Sequence, residues 1–204
     1  MSPVRVGISA CLLGQEVRFD GGHKRDSFLA DELGKHVEWV PVCPEVEVGM
    51  GTPREPLRLV RDGQRTRMVT IETGVDYTDR MNEWARRRVA ALGREDLDGY
   101  VLKKNSPSCG MLDVRIFNRN GDVSRDGQGL FATVLLESLP LLPVEEEGHL
   151  DDPRLRENFI ARVFAYRRLK DHVRDGWSIG SAAAFHIYDQ LQFQRRELMV
   201  PNRV

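Results

Sequence analysis

Short apolar runs, separated by polar stretches rich in glycine and proline, dominate the first 140 residues of the chain. Residues 4–8 (Val-Arg-Val-Gly-Ile) are mostly apolar with weak alternation, as a buried strand is. Residues 37–42 and 100–102 have the same character and predict a second and a third strand. Residues 57–60 and 67–71 flank Arg61-Asp62-Gly63-Gln64, whose Asp-Gly pair predicts a hairpin turn covering one side of the sheet edge. Residues 114–117 read as a further strand, with a tight connection over 118–122. Between the strands a short helix is expected over 26–33, ended by Gly34. A longer one runs from about 78 to 92, with Met81, Trp84, Ala85, Val89 and Leu92 at helical spacing. A strongly apolar helix spans 130–139, preceded by Gly127 and Gly129 and closed by Pro140 and Pro143. This alternation predicts a three-layer, Rossmann-like α/β domain with a mostly parallel sheet over residues 1–143.

Residues 144–149, with three consecutive glutamates, read as a linker to a short α-helical C-terminal extension, 150–204. Asp152-Pro153 supplies a cap and a first-turn proline, and Phe159, Val163 and Phe164 follow a helical period. A second helix is expected over 179–198. Two helices cannot build an independent core, so they must pack on the body or on another chain. Arg156, Arg167 and Lys170 are expected to form a basic stripe opposite Phe159 and Val163, a solvated face or a contact for RNA.

Composition narrows the class without naming a partner. Of 204 residues, 41% are hydrophobic and 30% charged, which suits a globular protein with a sizeable core. The net charge of −1 gives no overall argument for nucleic acid or membrane, although residues 1–150 carry −4 and residues 151–204 carry +3. No apolar run approaches the ~20 residues of a membrane span. The given sequence leads straight into its first predicted strand, and no signal peptide is expected from it. Three cysteines, an odd number without the spacing of a disulfide framework, point to a reducing cytoplasm. Arg86, Arg87 and Arg88 point to different sides of their helix and read mostly as solvated surface.

All three cysteines stand directly after predicted strands, among Gly, Pro or Ser: Ser9-Ala10-Cys11-Leu12-Leu13-Gly14, Pro41-Val42-Cys43-Pro44-Glu45 and Ser106-Pro107-Ser108-Cys109-Gly110. Ligands of open α/β sheets bind outside the carboxyl ends of the strands, where these thiols converge. The long loop after the first strand holds Arg18, Asp20, His23 and Lys24. With Arg54, Lys103 and Lys104 it gives one sheet edge enough positive charge to receive a phosphate. Three thiolates could hold zinc with an open position, or an iron–sulfur cluster with one iron lacking a protein ligand. A nucleophilic cysteine, Cys109, is a third alternative. Single thiols on separate loops, without histidine at ligand spacing, favour the wider footprint of a cluster.

These motifs, with Val17-Arg18-Phe19-Asp20-Gly21, Thr52-Pro53-Arg54 and Lys103 in the same order, closely resemble the thiouracil desulfidase family over residues 1–140. The resemblance implies a [4Fe-4S] cluster held by Cys11, Cys43 and Cys109, with an open iron that takes the sulfur of a thiolated pyrimidine. It implies a hydrolytic, non-redox replacement of sulfur by oxygen. Glu45 would be the acid/base and Ser106 the assisting hydroxyl, with Ser108 behind it. Ser9, Arg18, Asp20, His23, Arg54 and Lys103 would bind substrate: thiouracil, its nucleotide, or 4-thiouridine in tRNA. Residues 149–186 resemble the opening of a helical domain fused to desulfidases associated with tRNA, whereas residues 188–204 do not follow that pattern. The rival readings are a cluster-dependent Lewis-acid dehydratase and a metal-bound structural or redox-sensing module.

Overall fold

The structure, a computed structural model, describes residues 3–63, 65–118, 122–174 and 176. Its central sheet is wholly parallel, in the order β2-β1-β5-β8, formed by Glu38–Val42, Arg5–Ser9, Gly99–Leu102 and Val144–Glu146. Ser9 of β1 lies beside Val42 of β2, and Ile8 beside Val101 of β5, so the three cysteine loops leave the same end of neighbouring strands.

Side-chain alternation along β5 divides the core between two faces. Tyr100 and Leu102 face the helices α2 (Thr78–Arg94) and α3 (Leu130–Ser138), where the Phe131 ring meets Trp84 and Tyr100 at centroid distances of 5.6 and 5.8 Å. Val101, with Val6 and Ile8 of β1, faces the opposite way. There it packs on Leu29, Leu33, and Phe159 and Val163 of α4 (Pro153–Arg174). Two helical layers thus enclose the sheet and make an α/β sandwich.

The predicted hairpin forms from β3 (Leu57–Asp62) and β4 (Arg65–Thr70), with Asp62 opposite Arg65. It belongs to a second sheet, however, ordered β4-β3-β6-β7, whose other strands are β6 (Val114–Phe117) and β7 (Val123–Gly127). The short helix expected over 26–33 is a π-helical turn, Phe28–Glu32, followed by a 3₁₀ turn, Leu33–Lys35, so that Gly34 lies inside the turn. This irregular path keeps both Leu29 and Leu33 buried against the sheet. A last short helix, α1 (Pro44–Glu47), follows β2.

Two expectations are corrected here. Residues 144–149 are not a linker: Val144 and Glu146 are buried in β8, paired to β5, and Glu147–His149 continue as a 3₁₀ turn. Arg156, Arg167 and Lys170 of α4 are not opposite Phe159 and Val163 but share their face. Arg167 is buried and pairs with the fully buried Asp98 at 3.4 Å, while Lys170 reaches the other Asp98 oxygen at 2.7 Å. The Arg156 guanidinium sits 4.1 Å from the centre of the Phe28 ring. Positions 156, 159, 163, 167 and 170 are spaced by three or four residues and fall on one helical face. Of the three adjacent arginines on α2, Arg86 and Arg87 are exposed, but Arg88 is held by Glu47 at 3.2 Å and Glu95 at 2.6 Å. The helix expected over 179–198 lies outside the described residues. No helix among the described residues is long and apolar enough to cross a membrane.

Candidate active site

Each cysteine is delivered by a different local device. Cys11 lies in the 3₁₀ turn Ala10–Leu13, stopped by Gly14, and its carbonyl takes the Lys24 amide at 2.9 Å as the long loop returns. Cys43 is the extended residue before α1, with Pro44 at the first helical position. Cys109 rides on a loop bonded to the start of α3. No side chain caps that helix; instead the carbonyls of Pro107, Ser108 and Gly110 accept the amides of Leu130, Ala132 and Gly129 at 2.7–3.1 Å. A Cβ at Gly129 would stand 2.4 Å from the Ser108 carbonyl oxygen, so only glycine permits this approach.

The three thiols line one cleft of about 550 Å³ at the carboxyl edge of the sheet. Its outer wall is the second sheet, through Leu57, Arg58, Leu59, Val114, Arg115 and Phe117. Burial pushes the Cys11 thiol up to about 11, opposed by Lys103 and Arg18. Burial, then the Glu45 carboxylate, push Cys43 up to about 12. Cys109 is raised well above its ordinary value by burial and then by Glu45, with the other two thiols adding to the rise. The thiols therefore share one electrostatic environment: burial and Glu45 favour the neutral thiol at all three, while Lys103 and Arg18 oppose this at Cys11 and Arg54 at Cys43.

Glu45 is buried beside them. Its Oε2 accepts the Cys43 thiol at 3.5 Å and lies 3.8 Å from the Arg54 guanidinium. Arg54 also donates to the carbonyls of Val17 and Gly51 at 2.9 and 3.0 Å, tying the first loop to the glycine-rich turn. Ser9 Oγ accepts the Lys103 amide at 3.0 Å. Among the described residues, no three His, Cys, Asp or Glu side chains close on a single ion position.

The sequence profile of the 2-thiouracil desulfurase family matches residues 6–147. The chain belongs to this family. Among solved structures, the [4Fe-4S]-dependent thiouracil desulfidase TudS is 38% identical, with a TM-score of 0.56, over 76% of this chain and 97% of its own. A Bacillus subtilis (strain 168) relative, the uncharacterized protein YbbK, is 32% identical over 108 residues, which is 50% of this chain and 71% of YbbK.

In this desulfurase-family chain the cleft gathers Ser9, Cys11, Arg18, Cys43, Glu45, Arg54, Lys103, Ser106 and Cys109. Asp20, His23 and Ser108 do not line it. Asp20 accepts the Gly22 amide at 3.1 Å, which holds its carboxyl below the usual range, and the His23 ring accepts the Arg25 amide at 3.2 Å. Ser108 is fully buried behind Cys109, its hydroxyl without a partner among the described residues. Ser106 Oγ accepts the amides of Ser108 and Cys109 at 3.2 and 3.1 Å, which fixes the cysteine loop and leaves its own proton free to donate. Sequence reasoning missed Arg58, Arg115 and Arg125, which line the cleft from three adjacent strands of the second sheet. Their only signal was their place on alternating strands, and that does not reveal which wall they join.

Proposed function

We propose that this chain is a desulfidase that replaces the sulfur of a thiolated uracil by oxygen, with Cys11, Cys43 and Cys109 holding a [4Fe-4S] cluster. The observation that carries the reading is the convergence of every cysteine of the chain on one cleft, delivered singly by adjacent parallel strands. The donor set fits the group. It offers soft sulfur ligands that are not grouped on a single ion position, with no histidine lining the cleft among the described residues. When bound, the cluster supplies an iron without a protein ligand and with an affinity for soft sulfur. Arg18, Arg54 and Lys103 offset the charge of the thiolates.

The chain's own residues then bind, orient and move protons. The exchange consumes water and releases hydrosulfide, with no net oxidation or reduction. Glu45 is the cleft's buried carboxylate and the acid/base for that water or for a ring nitrogen. The free proton of Ser106 hydrogen-bonds the pyrimidine. Arg58, Arg115 and Arg125, with Arg18 and Lys103, favour an anionic substrate, so a nucleotide suits the mouth better than a free base. Unpaired thiols suit a reducing cytoplasm.

The test is anaerobic reconstitution, with iron and sulfide counted and turnover measured on 4-thiouracil, its nucleoside monophosphate and thiolated tRNA at two salt concentrations. About four irons per chain and release of hydrosulfide are expected. A single zinc, or a loaded cluster with no hydrosulfide from any of the three substrates, would overturn the reading.

A further inference from the structure

The acidic run Glu145-Glu146-Glu147 does three separate jobs. Glu145 meets His149 of the following 3₁₀ turn at 2.8 Å and Arg162 of α4 at 3.0 Å. Glu146 and Glu147 turn to the cysteine loop and are almost fully buried, at 4% and 8% exposure. Glu146 Oε1 accepts the Met111 amide at 2.6 Å and lies 3.4 Å from the Leu112 amide, just after Cys109. Glu147 Oε2 accepts the Lys104 amide at 2.6 Å, ahead of Cys109, and its other oxygen pairs with the Lys103 ammonium. Gly148 lets the Lys104 side chain lie across it: a Cβ there would come within 2.5 Å of Lys104 Cδ.

We infer that Glu146 and Glu147 are positioning residues that clamp the Cys109 loop from both ends, Glu147 also holding the Lys103 ammonium at the cleft. The inference rests on the proposed thiol site, but its geometry is independent of what that site binds. Neither carboxylate lines the cleft, so neither touches substrate. Carboxylates suit the task because charge-assisted bonds to amides are short and roughly twice as strong as neutral ones. Burying two anions so close together is otherwise unfavourable, and here each is met by backbone amides or an ammonium. The loop itself contains Asn105 at φ 58°, a left-handed conformation that asparagine tolerates better than most residues.

The experiment uses the full chain without its cluster, under reducing conditions. The rate of iodoacetamide alkylation is read by mass spectrometry at each cysteine in wild type, Glu145→Ala, Glu146→Ala and Glu147→Ala. Losing a buried charged acceptor costs about 1–3 kcal/mol, which converts to roughly 5- to 150-fold more frequent local opening. Cys109 alkylation is expected to rise about tenfold or more in Glu146→Ala and Glu147→Ala, with Cys11 and Cys43 within about twofold of wild type. Glu145→Ala should leave Cys109 as in wild type. An unchanged Cys109 rate, or an equal rise at all three cysteines, would overturn the inference.

Glu146→Gln and Glu147→Gln keep the shape and guard against variants that do not fold. By hydrogen exchange, Glu146→Gln should speed Met111 and Leu112 alone, and Glu147→Gln Lys104 alone. Uniform acceleration would mark a general loss of stability and sink the clamp. These readouts need no cluster, so failure of the clamp shows here, whereas failure of the desulfidase reading shows in wild-type iron content and turnover.

Discussion

The Ser9 hydroxyl accepts the Lys103 amide at 3.0 Å, joining the end of β1 to the end of β5 across 94 residues of sequence. Ser9 is buried, so this bond ties the strand end that leads to Cys11 to the strand end that leads to Cys109. Ser9→Ala leaves the Lys103 amide unsatisfied and should lower stability by about 1–3 kcal/mol. Urea unfolding of the cluster-free protein measures this, and iron retained after reconstitution should fall in parallel. Wild-type values in both would show that the bond contributes nothing.

Glu45→Gln keeps the size of the side chain while removing its acid/base capacity. Turnover of a thiolated uracil should drop by ~10²–10⁴-fold with iron content unchanged. Loss of iron would instead make Glu45 a structural partner of Cys43 and Arg54, which it touches.

Thiol burial has a pH signature. Cys11 and Cys43 are raised from 9.0 to about 11 and about 12, so the fold favours their protonated forms. The stability this contributes is complete below pH 9 and is lost as pH rises through 11 to 12. The melting temperature of cluster-free protein should fall over that window, and fall less in Cys11→Ser. Identical pH profiles for the two proteins would contradict the burial of Cys11.

Arg167→Met tests the packing of α4. The substitution leaves Asp98 fully buried with Lys170 as its remaining cation. The loss should approach, without exceeding, the roughly 3–5 kcal/mol of a broken buried pair. Denaturant unfolding decides: a change below about 0.5 kcal/mol is what a solvated surface arginine would give.

The site was legible in its cysteines because short apolar runs ending in Gly, Pro or Ser mark the carboxyl ends of strands. The three thiols line one cleft for that reason. What stayed hidden was charge turned inward. Glu146 and Glu147 look solvated as a run, and only the fold brings the amides of Met111 and Lys104 to them. Arg167 and Lys170 were expected on the side of the helix opposite Phe159 and Val163, whereas the spacing of three and four residues puts them on the same face, over the buried Asp98. Asp20 and His23 were drawn toward the ligand by proximity to Cys11 in sequence, while their side chains serve turns of their own loop. The second sheet was missed because β3 pairs with β6, a partner more than fifty residues later.

The position of β8 has a consequence for how the protein is made. Among the described residues it is the last strand of the chain, it lies beside β5, and it and the 3₁₀ turn after it carry the two carboxylates bonded to the Cys109 loop, Glu146 and Glu147. A nascent chain therefore has all three thiols before it has the element that secures the last of them. Long-range pairings of this kind form slowly, because chain closure must precede the contacts that reward it. On the cluster reading proposed above, the third thiolate loop is complete only once synthesis has passed residue 147.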